Sequence, residues 1–292
     1  MFIFGEIRDK VMAQEMVNEL TKQGIVCGQH FVASENVFQL YVEDRESFAK
    51  ARGYYEMVMG IKRPMEIDPE WKKIQRTPLG FVSKILIALS LLIFVFWKFG
   101  DDDIYLFLMI SNGPGGTLDL LLSGEFWRII TPILIHFNFM HILFNLLWLK
   151  DLGSIIEAEK GSGYFTILVI LSGVLSNLSQ YFVKGPMFGG MSGVVYALLG
   201  HIWMYKRFNQ SAKYSLPQKD VYMMVGWYFL CLFGLMGPIA NIAHGVGLSV
   251  GMFMGISFGV KSSKSVNALE IAKFSSLALL FSIGTVVIES FK

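Results

Sequence analysis

From residue 81 onward the chain is a succession of long uncharged stretches, and few folds can accommodate that pattern. A bilayer core of about 30 Å takes roughly 20 helical residues to cross, and within it every backbone polar group must be bonded inside its own segment. Six stretches qualify: 81–99, 132–149, 164–183, 187–205, 221–236 and 238–260. A further uncharged run, 274–288, is shorter; it is expected to span as a short seventh segment, the alternative being a helix lying in the interface. Composition agrees, with 53% hydrophobic residues, 16% charged and a mean hydropathy of +0.51. Soluble domains carry about 25% charged residues, and disordered or nucleic-acid-binding chains carry more, so those classes recede. The expected fold class is a polytopic α-helical membrane protein.

The stretch before residue 81 differs, holding 11 of the 25 Lys and Arg. A strand is predicted at 1–4, a helix at 9–23 with Asp9 as N-cap and Gly24 as stop, strands at 26–33 and 37–42 joined by the Ser34-Glu35-Asn36 turn, and a helix at 45–59. This makes a small α+β domain of βαββα order over residues 1–60. Residues 61–80, with three prolines and several basic residues, read as a linker to the membrane surface, 81–260 as the membrane domain and 261–292 as a tail. No basic stretch followed by a cleavable apolar core opens the chain, so no signal peptide is expected. Neither a nucleotide loop nor a metal cluster nor a basic groove marks the N-terminal domain. It is expected to be an auxiliary module, or one that forms a homodimer. Cys27 and Cys231 have no spacing that suggests a disulfide framework or a metal site.

Basic residues prefer cytoplasmic loops, which sets the orientation. With the N-terminus inside, the inner loops carry Lys150, Lys160, Lys206, Arg207, Lys213, Lys219, Lys261, Lys264 and Lys273, and the outer loops only Lys98, Arg128 and Lys184. The first outer loop also holds Asp101, Asp102, Asp103, Asp119 and Glu125, and the turn from Asn112 through Pro114 to Gly116 suggests a structured, partly embedded loop.

Inside the apolar segments lie Ser192, His136, His141, Asn145 and His244, and polar side chains at membrane depth are functional candidates. Each alone is more often an interhelical hydrogen-bonding residue. Ser192 sits in Gly189-Gly190-Met191-Ser192-Gly193, where glycines permit a tight turn that places a hydroxyl at a helix start. At 1.5 Å per residue it lies about 22 Å above Arg207, and His244 about 25 Å above Lys261, so the two can meet. His244 shares a stripe with Gly247, Gly251 and Gly255, a small-residue seam that needs a partner helix, and Ser192, Tyr196 and Gly200 offer the matching face. A serine in reach of a histidine base is the nucleophile logic of acyl transfer. No Asp or Glu occurs between 221 and 260, so a dyad is predicted, with Tyr196 packing on the imidazole.

His141 and Asn145, four apart, share a face and could cradle an oxyanion with the Ser192 amide. Straight counting places them only about 14 and 8 Å above Lys150, lower than Ser192. His136 fits better on depth, but on a continuous helix it faces about 140° away from His141.

These residues resemble the rhomboid intramembrane serine proteases, of the bacterial GlpG type. The resemblance is carried by Glu125-x-Trp127-Arg128, His136-x4-His141-x3-Asn145, Gly190-x-Ser192-Gly193-x2-Tyr196 and Ala243-His244 with the glycines after it, in that order over roughly residues 80–260. The N-terminal segment also looks like that group's cytosolic domain, whereas the tail past about 260 has no counterpart. The resemblance implies a six-helix bundle, Ser192 as nucleophile, His244 as general base and acid, and His141, Asn145 and the Ser192 amide as oxyanion hole. It implies Trp127, Arg128 and His136 as anchors of the first loop, with Gly190, Gly193 and Tyr196 supporting the site and Glu157 tying helices together. His201 receives no role. The implied setting is a bacterial inner membrane with the N-terminus cytoplasmic, single-pass transmembrane proteins as substrates, and neither cofactor nor metal, nucleotide or nucleic acid.

Two other intramembrane protease chemistries do not fit, since there is no H-E-x-x-H and no pair of intramembrane aspartates. A transporter should show inverted repeats or intramembrane charges. The alternative of a different class is a non-catalytic rhomboid-like protein that binds transmembrane helices, and the presence of both Ser192 and His244 argues against it. The aromatic fifth segment (Trp227, Tyr228, Phe229, Phe233) with residues 234–238 reads equally as a substrate gate or as a lipid-facing surface.

Overall fold

The computed structural model describes residues 1–61, 67–100, 103–113, 115–237, 239–263 and 267–292. Asp101, Asp102, Pro114, Pro238, Lys264 and part of the expected linker lie outside the described residues. The chain forms two compact units, Met1–Glu66 and Ile67–Lys292.

In the first unit β1 (Phe2–Ile7), α1 (Lys10–Lys22), β2 (Cys27–Val32), β3 (Val37–Val42) and α2 (Arg45–Val58) follow the order read from the sequence. The sheet is antiparallel, β1-β3-β2, with Val42 opposite both Phe2 and Cys27. Asp9 and Asp44 cap the two helices, accepting from the Met12 amide at 2.9 Å and the Ser47 amide at 2.7 Å. Phe4, Ala13, Met16, Leu20, Leu40 and Ala51 close the core.

The second unit opens with α3 (Pro69–Gln75), inside the stretch expected as linker. It is a docked helix because Ile74 is buried and the Trp71 indole donates to Asp220 at 2.6 Å. Then come α4 (Phe81–Lys98), α5 (Asp103–Leu108), α6 (Asp119–Leu122), 3₁₀ turns at Phe126–Ile129 and Thr131–Leu134, and α7 (Phe139–Trp148). A π turn, Leu149–Gly153, joins α7 to α8 (Ser154–Lys160), followed by α9 (Ser162–Lys184), α10 (Ser192–Phe208), α11 (Gln218–Leu232), α12 (Asn241–Lys261) and α13 (Ala268–Ser290).

Five of these helices, the α7–α8 run included, are long and apolar enough to cross a membrane. Together they make the chain a multi-span membrane protein. α10 and α11, with 17 and 15 residues, are shorter. At 1.5 Å per residue α10 rises about 26 Å, less than the hydrocarbon thickness of about 30 Å. α12 is the central helix, 72% buried over its apolar window, against 22% for α4 and 17% for α13.

Several boundaries differ from the sequence reading: the fourth and sixth expected segments begin as helices at Ser192 and Asn241 instead of 187 and 238, and the fifth runs Gln218–Leu232 instead of 221–236. The second span begins at Phe139, later than the expected 132, because Pro132 sits in a 3₁₀ turn and Asn138 caps the helix by accepting from the His141 amide at 2.8 Å. It ends at Lys160 instead of 149, since Lys150 and Asp151 pair at 3.2 Å on the helix flank and do not end it. The run 274–288 is the centre of a 23-residue helix packed along α12, long enough to span.

Glu157 on α8 joins three helices. Its carboxylate accepts from the Val82 and Ser83 amides at 2.8 and 3.2 Å, capping α4, and from the hydroxyls of Ser83 at 3.0 Å and of Ser162 at the start of α9 at 2.6 Å.

Candidate active site

α10 and α12 pack along glycine. A Cβ at Gly247 would meet the Gly193 carbonyl oxygen at 2.0 Å, one at Gly251 the Ala197 oxygen at 1.9 Å, and one at Gly255 the His201 oxygen at 2.6 Å. From the other side, a Cβ at Gly200 would meet the Leu248 oxygen at 2.5 Å. Only hydrogen fits in this seam, so the two backbones approach far closer than side-chain-mediated packing allows. That approach brings Ser192, the first residue of α10, to His244, in the first turn of α12, with Oγ and Nε2 2.7 Å apart.

Ser192 is half-buried and His244 only 4% exposed. The Tyr196 ring, one turn below the serine, lies 4.8 Å from the imidazole, and its hydroxyl donates to the Met224 carbonyl of α11 at 3.2 Å. Nδ1 of His244 has no hydrogen-bond partner among the described residues, so no carboxylate orients the ring. A hydroxyl in contact with a neutral imidazole nitrogen can lose its proton to it as it attacks a carbonyl.

The chain before Ser192 is irregular, and Gly190, at φ +123°, adopts a conformation that residues with a Cβ rarely reach. The His141 ring occupies the space beside it: a Cβ at Gly190 would lie 2.6 Å from His141 Nε2. The His141 ring thus packs against the segment two residues before Ser192. The depth mismatch disappears because α7 continues to Lys160, so Lys150 is not the helix end. Asn145 is buried, and its amide donates to the His141 carbonyl at 2.8 Å.

The expectation that His136 and His141 face different ways on one helix is corrected by the structure. His136 precedes the helix, fully buried, with its ring 5.0 Å from that of His141 and Nδ1 3.1 Å from the Leu134 carbonyl. Trp127 and Arg128 sit in the long connection between α4 and α7, in the 3₁₀ turn Phe126–Ile129. Arg128, buried, donates to the Glu125 carboxylate at 2.6 Å and to the carbonyls of Leu106 and Met109 at 2.6 and 2.9 Å, and the Trp127 indole donates to Phe107 at 3.3 Å. His201 is an interhelical residue, stacked on Tyr205 and 3.3 Å from the Tyr164 hydroxyl.

Sequence reasoning missed three residues that hold the His244 turn. Ser176 donates to the Ala243 carbonyl at 3.1 Å, Gln180 accepts from the Ala243 amide at 3.2 Å, and Glu289 accepts from Asn241 at 2.9 Å. The signal was present: Ser176 and Gln180 are polar residues four apart on an apolar helix, and Glu289 is an acid in the last turn of another.

Residues 123–261 match the Rhomboid domain family model. The chain carries a rhomboid domain. The match runs from within the α4–α7 connection through α12, so it takes in both helices of the seam and stops short of α13. Members of the rhomboid family are generally intramembrane serine proteases.

Proposed function

We propose that this protein is an intramembrane serine endopeptidase of the GlpG type that cuts single-pass transmembrane proteins. The observation that supports this most is the 2.7 Å contact between Ser192 Oγ and His244 Nε2 at the N-terminal end of α10. Ser192 Oγ attacks the scissile carbonyl while His244 takes its proton. The tetrahedral oxyanion is held by the Ser192 amide at the helix N-terminus, the His141 ring and the second N–H of the Asn145 amide. The imidazolium then protonates the leaving amine, the C–N bond breaks and an acyl-enzyme remains. Water, deprotonated by the same imidazole, releases the acid and restores the serine.

With no carboxylate on Nδ1, the positive charge that forms on His244 is steadied by the face of Tyr196. Tyr196 is also bonded to α11, so movement of α11 would be felt at the imidazole. On α11, Trp227, Phe229 and Phe233 are exposed while Tyr228 is buried against Tyr196 at 5.9 Å, an arrangement that suits a helix able to swing outward and admit a substrate. The N-terminal unit is an auxiliary or dimerising module, cytoplasmic by the distribution of basic residues, and the host membrane is a bacterial inner membrane.

The test is cleavage of a single-span reporter by protein reconstituted in liposomes, comparing the wild type with Ser192→Ala and His244→Ala. Cleavage lost in both folded variants is the expected result. Cleavage that survives Ser192→Ala would reject this nucleophile, and an inert wild type that still retains the reporter would turn the reading to helix binding without cutting.

A further inference from the structure

A histidine base whose second nitrogen has no partner must be positioned by its backbone. In a Ser-His-Asp triad a carboxylate holds the ring at Nδ1; here that nitrogen has no partner among the described residues, and the ring goes where the first turn of α12 carries it. That turn is gripped from two sides. From α9, Ser176 and Gln180 bond the two backbone groups of Ala243. From α13, Glu289 accepts from the Asn241 side chain at 2.9 Å, and Thr285 stands against Gly245, where a Cβ would come within 2.4 Å of Thr285 Oγ1.

Glu289 is the notable member because it is an acid only 7% exposed in a membrane-length helix. A buried carboxylate is tolerated only when charged partners and hydrogen bonds surround it. Besides Asn241, it has Lys184 at 3.5 Å and Lys292 at 2.9 Å. Lys184 is the last residue of α9, Asn241 the first of α12, and Glu289 lies in the last turn of α13. The lysine sits at the C-terminus of α9, which favours it, and the carboxylate faces the N-terminus of α12, which offsets its place in the last turn of its own helix. The cluster joins three helix ends within one turn of His244. α13 lies beyond the residues that match the rhomboid domain, so the chain supplies this brace from outside it.

We propose that Glu289 is a positioning residue for His244. Through Asn241 and Lys184 it locks the start of α12 to the ends of α9 and α13, and so keeps the imidazole within hydrogen-bond distance of Ser192. This rests on the reading of Ser192 and His244 as the reacting pair. Glu289 touches no reacting atom, so its loss acts on turnover and leaves substrate affinity alone.

The experiment measures kcat and KM for a single-span reporter with the full-length protein in liposomes, using the wild type, Ser192→Ala, Glu289→Ala, Glu289→Gln and the exchange Asn241→Asp with Glu289→Gln. The exchange reverses donor and acceptor yet keeps the bond and one negative charge. Glu289→Ala is expected to lower kcat roughly ten- to a hundred-fold with KM unchanged, the scale of a reacting group displaced by a fraction of an ångström to one ångström. The exchange is expected to recover most of the turnover that Glu289→Ala loses. Unchanged kcat in folded Glu289→Ala would overturn the proposal, and so would a loss matched by the folded fraction and not recovered by the exchange. If Glu289→Ala does not fold, Glu289→Gln against the exchange decides, the exchange being the faster enzyme if the brace is real and no faster if it is not. Cleavage by Ser192→Ala, or none by the wild type, would overturn the reading of the site, and with it the role of Glu289.

Discussion

Replacing Gly247 by alanine tests whether the glycine seam sets the reacting distance. The added methyl would lie 2.0 Å from the Gly193 carbonyl oxygen, 2.7 Å from its carbonyl carbon and 3.0 Å from its Cα, all backbone atoms next to Ser192. Ordinary contact begins at 3.4 Å, so the methyl intrudes by about 1.4 Å on an atom that cannot rotate away, and the helices must part to relieve the overpacking. If α10 and α12 part by half that distance, the 2.7 Å contact opens to about 3.4 Å, and if by all of it to about 4.1 Å, past hydrogen-bond reach. Overpacking of this kind costs about 1–3 kcal/mol, and a misplacement near 1 Å costs about a hundred-fold in rate. The measurement pairs thermal unfolding in detergent with reporter turnover. Gly226→Ala on α11, where nothing lies within 4 Å of the new methyl, serves as control and is expected to match the wild type in both. Gly247→Ala turning over at the wild-type rate would refute the claim that backbone contact along this seam determines the geometry.

Other outcomes follow from the same structure. Arg128→Met leaves the carbonyls of Leu106 and Met109 and the Glu125 carboxylate without their donor, so a loss of about 3 kcal/mol is expected, with faster proteolysis of the α4–α7 connection; an unchanged cutting pattern would contradict it. Glu157→Ala uncaps α4 and is expected to cost about 2–4 kcal/mol, with Glu157→Gln recovering part; a wild-type melting temperature in the alanine variant would contradict it. The Asp44 carboxyl is held below the ordinary aspartate value by the Ser47 amide, so the cap of α2 is intact above the unfolded carboxyl's pKa and is lost as pH falls through the lower, folded one. The Ser47 amide proton shift should therefore titrate with a midpoint below that of a free aspartate, and a midpoint at the free value would refute it.

The sequence carried most of the seam, because glycine at every fourth position of α12 leaves little else for that face to do, and the facing stripe of Ser192, Tyr196 and Gly200 follows from the 3.6-residue period. It misled where a local signal was outweighed by tertiary contacts. Lys150 and Asp151 mark a helix end by composition, yet they neutralise each other on the flank and the helix runs on through a π turn. Pro132 is compatible with a helix start, but the chain there forms a 3₁₀ turn whose Thr131 hydroxyl donates to the Leu108 carbonyl and whose Pro132 carbonyl accepts from the Gly190 amide, so the helix starts only after the Asn138 cap, with His136 beside His141. Glu289 was visible as an acid at the end of an apolar run, but its partners were not. Its partners Asn241 and Lys184 lie 48 and 105 positions away, and only packing of α13 on α12 brings them together.

The most direct test of the central claim is labelling by a fluorophosphonate, which requires an activated serine but no transmembrane substrate. Wild-type protein in liposomes is treated with the probe and the adduct located by peptide mass spectrometry. A single adduct on Ser192 that disappears in folded His244→Ala is the expected result. An adduct on another residue, or labelling of Ser192 at the same rate without His244, would contradict the assignment of the pair.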